Sequence, residues 1–313
     1  MRKTHVRFCE RADAGLITWR HPTRSHLMRG RATIAEMEPK LTSPSVVREV
    51  LAGLGIRPLK RLGQNFLVDH NLRERIISGL EIAPGDRIVE IGPGLGAITQ
   101  GIVEKSDDVH AIEIDHALAA HLRDFFGARL HLHEGDALET DLAALLGPSG
   151  KLVGNLPYYI STPLVAAAVA ARPAIAVLML QSEVAARLEA PPSAPERGAL
   201  TLLIEYAADV EPWAKAGPSL FYPPPKVASQ VVRLHPRPSP VAIPWSAIRP
   251  IVAAAFQYRG KTLGRALQEG LGLEPEVAAQ ALRASGIDRA RRGETLSLQE
   301  FGRLAETLGG RAG

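Results

Sequence analysis

The stretch Arg87-Ile-Val-Glu-Ile-Gly-Pro-Gly-Leu-Gly-Ala-Ile-Thr99 decides the fold. It is typical of an apolar strand that runs into a glycine-rich turn and then into a helix. Such a turn lets the backbone approach a ligand closely at a helix N-terminus. Gly92, Gly94 and Ala97 satisfy the G-x-G-x-x-G/A pattern of dinucleotide-binding folds, so a nicotinamide enzyme is one candidate. The glycine pattern is weak evidence by itself.

Carboxylates follow the next two predicted strands. The strand over residues 108–114 contains Glu113 near its end, about 20 residues after Gly92, where a carboxylate can hold both hydroxyls of a ribose. A third strand around residues 129–133 leads to Asp136, which can accept a hydrogen bond from the exocyclic amine of an adenine or simply cap the next turn. Strands that alternate with helices at this spacing predict an α/β fold with a doubly wound parallel sheet.

The loop after the fourth predicted strand carries Asn155-Leu156-Pro157-Tyr158. Pro157 ends the strand, and Ser161-Thr162-Pro163 predicts an N-cap and a first helical turn. The Asn155 Oδ1 atom and the Leu156 carbonyl can accept from an exocyclic amine and so favour a pyramidal nitrogen with a free lone pair, while Tyr158 stacks on the base. The alternative is an ordinary loop in which the Asn caps a turn and the Tyr belongs to the core.

Four successive loops with a glycine turn, a Glu, an Asp and Asn-Leu-Pro-Tyr resemble those of S-adenosylmethionine-dependent methyltransferases that modify amino groups of bases. Further motifs make the resemblance closer, and their order is similar to that of the small-subunit ribosomal RNA adenine dimethyltransferase family over about residues 41–304. These motifs are Lys60-Arg-Leu-Gly-Gln-Asn-Phe-Leu67, Val89-Glu-Ile-Gly-Pro-Gly-Leu-Gly96, Met179-Leu-Gln-Ser-Glu-Val-Ala185, Phe221-Tyr-Pro-Pro-Pro-Lys-Val227 and Lys261-Thr-Leu263.

The resemblance implies a Rossmann-like methyltransferase sheet, a small C-terminal helical domain and S-adenosyl-L-methionine as cofactor. It implies that Asn65 and Leu67 close over the cofactor and that Gly92 contacts its amino-acid end. It further implies that Glu113 holds the ribose, Asp136 holds the adenine, and Asn155 lies beside both cofactor and target base.

The resemblance also implies that Phe221 stacks on the target adenine opposite Tyr158, although a Phe before three prolines can equally be a hydrophobic staple for its loop. Three residues depart from the family pattern. Ala228 stands where an Asp is common, Gly260 where a second Arg follows the first, and Arg197 where an aromatic residue often precedes Gly198. These departures put loop rigidity and RNA docking in doubt, but not the chemistry.

The activity that the resemblance implies is dimethylation of N6 on two adjacent adenosines in the hairpin near the 3′ end of small-subunit (16S) ribosomal RNA. The implied partner is the precursor of the small ribosomal subunit, with a role in subunit biogenesis, and we expect a monomer. Alternatives are a large-subunit RNA adenine methyltransferase of the antibiotic-resistance type, a mitochondrial relative also used in transcription, and an assembly factor in which methylation is secondary.

A run of the chain without acidic residues predicts where RNA binds. Residues 212–268 contain no Asp or Glu but eight Lys and Arg, which can bind phosphates beside the pocket. A solvated basic face is the alternative. Within this run, the candidates for contact with RNA are Lys226, Arg259, Lys261 and Arg265.

Composition excludes several classes of protein. The 313 residues are 46% hydrophobic, enough for a full core, and the single cysteine, Cys9, excludes an internal disulfide framework and fits a reducing, cytoplasmic compartment. The apolar window over residues 162–180 is interrupted by Arg172-Pro173, which predicts a helix followed by a buried strand rather than a membrane span. His131 and His133 share a strand face, but without further ligands we expect no metal.

The ends of the chain differ from its centre. Residues 1–36 hold eight Lys and Arg against three acids, a net charge of +5 against +4 for the whole chain, and lack hydrophobic periodicity. We expect a disordered leader, an organelle transit peptide or, as the favoured hypothesis, an over-extended start with Met37 as the initiator.

We expect the methyltransferase domain over residues 37–235 and the helical, RNA-docking domain over residues 236–313. Residues 201–210 and 227–234 are predicted to be strands that complete the sheet, the second of them antiparallel to its neighbour. After a proline-rich linker over residues 235–240, four short helices are expected in the ranges 248–256, 261–268, 274–285 and 297–308.

Overall fold

The computed structural model describes residues 39–59 and 63–309. The predictions for residues 1–36, for Met37 and for the Lys60-Arg61-Leu62 part of the first motif therefore lie outside the described residues. The strands are β1 (Phe66–Leu67), β2 (Arg87–Ile91), β3 (Asp108–Glu113), β4 (His131–Glu134), β5 (Lys151–Asn155), β6 (Ala176–Gln181), β7 (Ala208–Ala216), β8 (Phe221–Tyr222) and β9 (Ser229–Pro236).

Helices alternate with these strands and then dominate the C-terminal part of the chain. They are α1 (Pro44–Gly53), α2 (His70–Gly79), α3 (Ala97–Ile102), α4 (His116–Phe126), α5 (Leu142–Leu146), α6 (Ser161–Ala171), α7 (Ser182–Leu188), α8 (Ala199–Ala207), α9 (Trp245–Gln257), α10 (Leu263–Leu271), α11 (Pro275–Ala284) and α12 (Leu298–Gly309).

Within the described residues the main sheet has seven strands in the order β4-β3-β2-β5-β6-β9-β7. Strands β2 to β6 pair in parallel, whereas β9 is antiparallel to both β6 and β7. The prediction of a doubly wound α/β sheet is confirmed, as is the antiparallel pairing of β9 with its neighbour. Strand β1 lies apart from this sheet and pairs with β8.

Both faces of the sheet are covered, which explains why its central strands are apolar runs rather than alternating sequences. On one face Val89 and Ile91 pack with apolar residues of α5, α6, α7 and α8. On the other face Ile88 packs with residues of α2, α3 and α4. Since the two clusters hold the central strands between two layers, the carboxyl ends of the parallel strands meet along one edge.

One predicted strand is wrong in its first half. Residues 199–207 form α8, and only the residues from Ala208 onward form β7. The N-cap of this helix is Gly198, whose N–H donates to Thr201 Oγ1 at 2.9 Å. Leu200 and Ile204 pack against the sheet while Leu202 packs against the C-terminal helices. A short helix that is apolar on two sides lacks the one-sided pattern that distinguishes helix from strand.

The loop before α6 also differs from its prediction. Ser161 is the first residue of α6 rather than its N-cap, and its Oγ donates to the Tyr158 carbonyl at 3.3 Å. The N-cap is Ile160, which has no side-chain oxygen to offer. The predicted succession of helix and buried strand over residues 162–180 is confirmed by α6 and β6. In the described part of the chain, no helix has the length and hydropathy needed to cross a membrane.

The four predicted C-terminal helices are confirmed as α9 to α12, and they share an apolar cluster with Leu202 of α8. Arg197 strengthens this junction, because its fully buried guanidinium donates to the carbonyls of Ala190 and Leu296 and to the Glu205 carboxylate. The three contacts join the loop before α8, α8 itself and the segment before α12. An aromatic residue at position 197 has fewer donors than these three acceptors need, so the departure at this position has a structural reason.

Candidate active site

The loops that follow β2, β3, β4 and β5 lie side by side at one edge of the sheet. Gly92 N donates to the Ile112 carbonyl at 2.9 Å, and Gly135 N donates to the Glu113 carbonyl at the same distance. Ile91 pairs with Gly154, so Gly92 and Asn155 each follow directly after a paired position. The parallel register therefore places the four loops in one row.

The glycine turn has the backbone that the sequence predicts. Gly92, Gly94 and Gly96 have φ values of +67°, +60° and +90°, in the left-handed region that favours glycine. A Cβ on Gly96 would lie 2.5 Å from the Phe126 ring, whereas a Cβ on Gly92 would meet nothing within 4 Å. Gly96 is therefore required by packing, while Gly92 leaves open space beside its backbone.

Glu113 is tied to this turn. Its Oε2 accepts from Gly94 N at 3.1 Å and its Oε1 accepts from Asp115 N at 2.9 Å. Burial raises the pKa of the Glu113 carboxyl to about 7, although the backbone hydrogen bonds lower it. The side chain thus fixes the glycine turn against the end of β3 and still lines the cavity described below.

Asp136 caps a turn and also lines the cavity. Its Oδ1 accepts from Leu138 N at 2.8 Å and caps the turn after β4. The same residue lines the cavity, so its carboxylate also faces the space where a ligand can bind. Because a carboxylate accepts about four hydrogen bonds, capping the turn leaves acceptor capacity for a ligand.

Glu90 lines the cavity but was not singled out in the sequence. It is buried beneath the glycine turn, where its Oε2 accepts from Thr99 Oγ1 at 2.6 Å. Burial raises the pKa of its carboxyl to about 8, the Thr99 hydrogen bond lowers it, and nearby Glu113 raises it further. A carboxylate between apolar residues of a strand predicted to be buried was a signal that sequence reasoning could have used.

Asn155 is oriented by the first motif. Its Nδ2 donates to the backbone carbonyl of Asn65 at 3.0 Å, while the Asn65 side chain donates to the Gly63 carbonyl at 2.9 Å. With its amide nitrogen bound in this way, Asn155 keeps Oδ1 as an acceptor for a ligand. The contact connects residues 90 positions apart in the chain.

One cavity brings all the predicted cofactor-binding residues together. Besides Glu90, Pro157 and Tyr159, its lining includes Asn65, Leu67, Gly92, Glu113, Asp136 and Asn155. Two carboxylates, an open glycine backbone and an apolar wall are suited to a ligand with hydroxyl, amine and apolar parts. These residues therefore fit an adenosyl cofactor, which has all three.

The aromatic residues predicted to hold the base do not line this cavity. Tyr158 is half-buried, its hydroxyl lies 2.8 Å from Ser229 Oγ, and burial raises its pKa. Phe221 is 3% exposed and pairs with Leu67 in the small β1–β8 sheet. Leu156 is buried, and its N–H donates to the Met179 carbonyl at 3.1 Å. Tyr159, which the sequence did not single out, is 53% exposed and does line the cavity.

The predicted RNA-binding cations have different surroundings. Lys261 and Arg265 both pair with Glu269, directly after the acid-free run, and Arg259 Nη2 donates to the Ala194 carbonyl at 2.9 Å. Lys226 is exposed and, within residues 39–59 and 63–309, forms no ion pair. Three of the four side chains thus have structural partners, while Lys226 is available to an anion.

Comparison with known proteins matches residues 57–309 to the family model of the ribosomal RNA adenine dimethylases. The ribosomal RNA small subunit methyltransferase A of Pelotomaculum thermopropionicum is 39% identical over 286 residues, which cover 86% of this chain and 97% of the relative. The protein of the same name from Moorella thermoacetica is 42% identical over 270 residues, covering 81% and 93%.

Solved structures share the fold. A dimethyladenosine transferase from Plasmodium falciparum aligns with a TM-score of 0.64 at 24% identity, covering 79% of this chain and 98% of that one. The 23S rRNA methyltransferase ErmE aligns with a TM-score of 0.57 at 25% identity, covering 78% and 100%.

Proposed function

Because the chain belongs to the ribosomal RNA adenine dimethylase family, we propose that it methylates N6 of adenosines in small-subunit ribosomal RNA with S-adenosyl-L-methionine. The observation that carries the proposal is that Asn155 shares one cavity with Gly92, Glu113 and Asp136. An acceptor for the base amine and the groups for the cofactor then face the same space. The chain is accordingly an RNA methyltransferase, and the nicotinamide alternative has no support.

The comparisons favour the small-subunit substrate over the large-subunit one. Relatives named for the small subunit are 39% and 42% identical to this chain, whereas the large-subunit enzyme ErmE is 25% identical. Both kinds share the fold, so the fold alone does not choose between them. The specific proposed substrate is a pair of adjacent adenosines in the 3′-end hairpin of 16S RNA, each dimethylated.

The cofactor side of the proposed site uses fixed groups. Glu113 would hold the ribose hydroxyls and Asp136 the exocyclic amine of the adenine, while Gly92 offers its backbone to the amino-acid end. Asn65 and Leu67 would close the cavity from the opposite side. When bound, the cofactor supplies an electrophilic methyl group on a sulfonium.

The amine of the target base needs activation because its lone pair is delocalised into the ring. Asn155 Oδ1 and the Leu156 carbonyl would accept its two hydrogens and favour a pyramidal nitrogen with an available lone pair. The hydrogen bond from Asn155 Nδ2 to the Asn65 carbonyl supports this orientation. After transfer, the methylated ammonium is strongly acidic and can lose its proton to solvent, so no side-chain base is required. A second transfer requires room for one methyl group beside the amine.

The target adenosine must leave its stack to reach the cavity, at a cost of a few kcal/mol. In the proposal, Tyr158 and Phe221 stack on the extruded base. Both side chains lie against Ser229 and Leu67 rather than along the cavity, so the proposal requires them to turn toward the base when RNA binds. Tyr159 already faces the cavity and is suited to receive the base first.

The proposed partner is the precursor of the small ribosomal subunit, bound by a monomer in the cytoplasm. Lys226 would contact phosphate directly, while Arg259, Lys261 and Arg265 would contribute to a positive face across the helical segment. The domain division at residues 235/236 belongs to the same proposal, with the helical part docking RNA beside the cavity.

Incubation with labelled S-adenosyl-L-methionine and undermethylated small subunits, followed by mapping of modified nucleotides, tests the function. We expect label on N6 of two adjacent adenosines in the 3′-end hairpin, and none on large subunits treated in parallel. Label on large-subunit RNA alone would overturn the proposal. An Asn155→Ala variant that binds subunits and restores assembly without methylation would favour the assembly-factor alternative.

A further inference from the structure

Three histidines and an aspartate lie on one face at the outer edge of the main sheet. Asp108 and His110 alternate along β3, and His131 and His133 alternate along the edge strand β4. His110 is the registered partner of His131, so the side chains of these two strands point to the same side. The sequence offered only the pair His131 and His133, and strand pairing adds the other two residues.

Three of the four side chains are close enough to share one ion, and His133 contacts one of these three. Ligand atoms from Asp108, His110 and His131 all lie within 4.8 Å of one another. His110 Nδ1 is 3.0 Å from His133 Nε2. Two nitrogens bound to a tetrahedral Zn²⁺ at about 2.0–2.1 Å are roughly 3.3 Å apart, so this pair needs only a small adjustment.

Asp108 has the position of a carboxylate that orients a histidine ligand. Its Oδ1 lies 2.9 Å from His110 Nε2, and its Oδ2 accepts from Arg87 Nε at 2.9 Å. With both oxygens engaged, Asp108 holds the Nε2–H tautomer of His110 and leaves Nδ1 with a lone pair directed at His133. Such carboxylate–histidine pairs are typical of metal sites, where they fix the ring and raise ligand basicity.

The imidazole rings of the cluster lie close together. The rings of His131 and His133 stack against that of His110, with centroids 4.8 Å and 5.3 Å apart. The proton shared between His110 Nδ1 and His133 Nε2 is one that a metal ion can replace.

We propose that His110, His131 and His133 form a binding site for a transition metal ion of the Zn²⁺ type, with Asp108 orienting His110. Three imidazoles select Zn²⁺, Ni²⁺, Co²⁺ or Cu²⁺ over Mg²⁺ and Ca²⁺, which prefer oxygen ligands. A water molecule completes the coordination, because His131 lies on the exposed side of the cluster.

The bound ion links β4 to β3. Strand β4 pairs only with β3 in the described residues, since it is the last strand of the sheet. Glu113 is the last residue of β3, and Asp136 lies two residues after the end of β4. A metal cross-link therefore stabilises the sheet edge that carries the two carboxylates of the cavity, without entering the cavity itself. The role is structural and independent of methyl transfer.

The test uses the full chain after removal of metal with a chelator. Titration with Zn²⁺ by calorimetry gives the number of bound ions, and Co²⁺ reports coordination through its visible absorption. We expect His131→Gln to bind one equivalent of Zn²⁺ fewer than the wild type and to lose the metal-dependent rise in Tm. Ions bound by the histidines and the cysteine of residues 1–36 contribute equally to the wild type and the variant, so the difference in bound equivalents reports the proposed site alone.

Two further variants keep the test decisive. Asp108→Asn retains all three rings and should weaken Zn²⁺ binding about 10- to 100-fold. His235→Gln, a histidine of β9 outside the cluster, should bind Zn²⁺ as the wild type does. Equal stoichiometry and affinity in the wild type, His131→Gln and Asp108→Asn would overturn the proposal, as would a loss of binding in His235→Gln of the same size.

Discussion

The two sides of the cavity are built differently. The side proposed for the cofactor consists of Gly92, Glu113 and Asp136, each at or near the end of a parallel strand. Backbone hydrogen bonds from Gly92 and Gly135 join the ends of β2 and β4 to β3. The side proposed for the base depends on short segments that are far apart in the chain, such as β1 and β8, which meet through the pairing of Leu67 with Phe221.

The difference implies that the side proposed for the cofactor can be formed before a ligand binds, whereas the side proposed for the base must rearrange. The cofactor carboxylates already line the cavity, but Tyr158 and Phe221 are held against Ser229 and Leu67. The loops proposed to hold the cofactor follow strands of a seven-stranded sheet, whereas β1 and β8 form a ribbon of two strands, which adds little stability by itself. We therefore expect substitutions on the cofactor side to alter affinity and those on the base side to alter turnover.

Asn155→Ala should have the largest effect, because it removes the acceptor proposed to act on the base amine. Turnover should fall about 10²- to 10³-fold, as for loss of one transition-state acceptor or donor, while cofactor affinity changes little. Single-turnover assays with undermethylated subunits and calorimetric titration of the cofactor give the two quantities. Asn71→Ala, at an exposed position in α2, serves as the control. An equal loss of turnover and affinity would place Asn155 on the cofactor side.

Glu113→Ala should mainly weaken cofactor binding. The change removes the proposed ribose contact and frees Gly94 N, so the dissociation constant should rise about 10- to 100-fold, as for loss of a charged hydrogen bond. Calorimetry with S-adenosyl-L-methionine measures this, with the exposed Glu139→Ala as a matched control. Unchanged affinity would show that the ribose is held elsewhere.

Tyr159→Ala tests which aromatic side chain the base meets first. Loss of one stacking contact should lower kcat/KM for RNA about tenfold, with cofactor affinity unchanged. Steady-state assays over a range of subunit concentrations would detect this change. Tyr222→Ala is the comparison variant, because Tyr222 is partly buried in β8 and does not line the cavity. If kcat/KM is unaffected in Tyr159→Ala, the base is held by Tyr158 and Phe221 alone.

The smallest expected effect is a pH dependence of stability on the cofactor side. Burial raises the pKa of Glu90 to about 8 in the folded chain, above its unfolded value, so the folded state binds more protons between these values. The free energy of unfolding therefore falls as pH rises from 7.0 to 8.5, by on the order of 1 kcal/mol.

Urea unfolding at the two pH values measures this change. Above pH 7 most histidines are neutral in both states and contribute little. Glu90→Gln should reduce the fall, and the exposed Glu139→Gln should not. A slope that persists in Glu90→Gln would assign the proton to another group.

The order of helices and strands was predictable wherever the residues of one segment were enough to specify its secondary structure. This holds for β2, its glycine turn and α3, because the apolar run, the turn glycines and the start of the helix all lie within 13 residues. The helix over residues 199–207 was not predictable, because its two apolar sides pack into separate clusters that form only in the folded chain. Ser161 resembles an N-cap in sequence, yet the turn before it places Ile160 there.

The sequence by itself determined the parallel sheet and the order of the four loops, because strand ends meet at one edge whatever the details of packing. The resemblance to a family supplied the six residues predicted to bind the cofactor, all of which line the cavity. Only the tertiary structure decided that Asn65 orients Asn155, that Tyr159 rather than Tyr158 faces the cavity, and that Asp108 and His110 join His131 and His133. Each of these contacts joins residues from different strands or loops. Their geometry depends on register and packing, which no local pattern encodes.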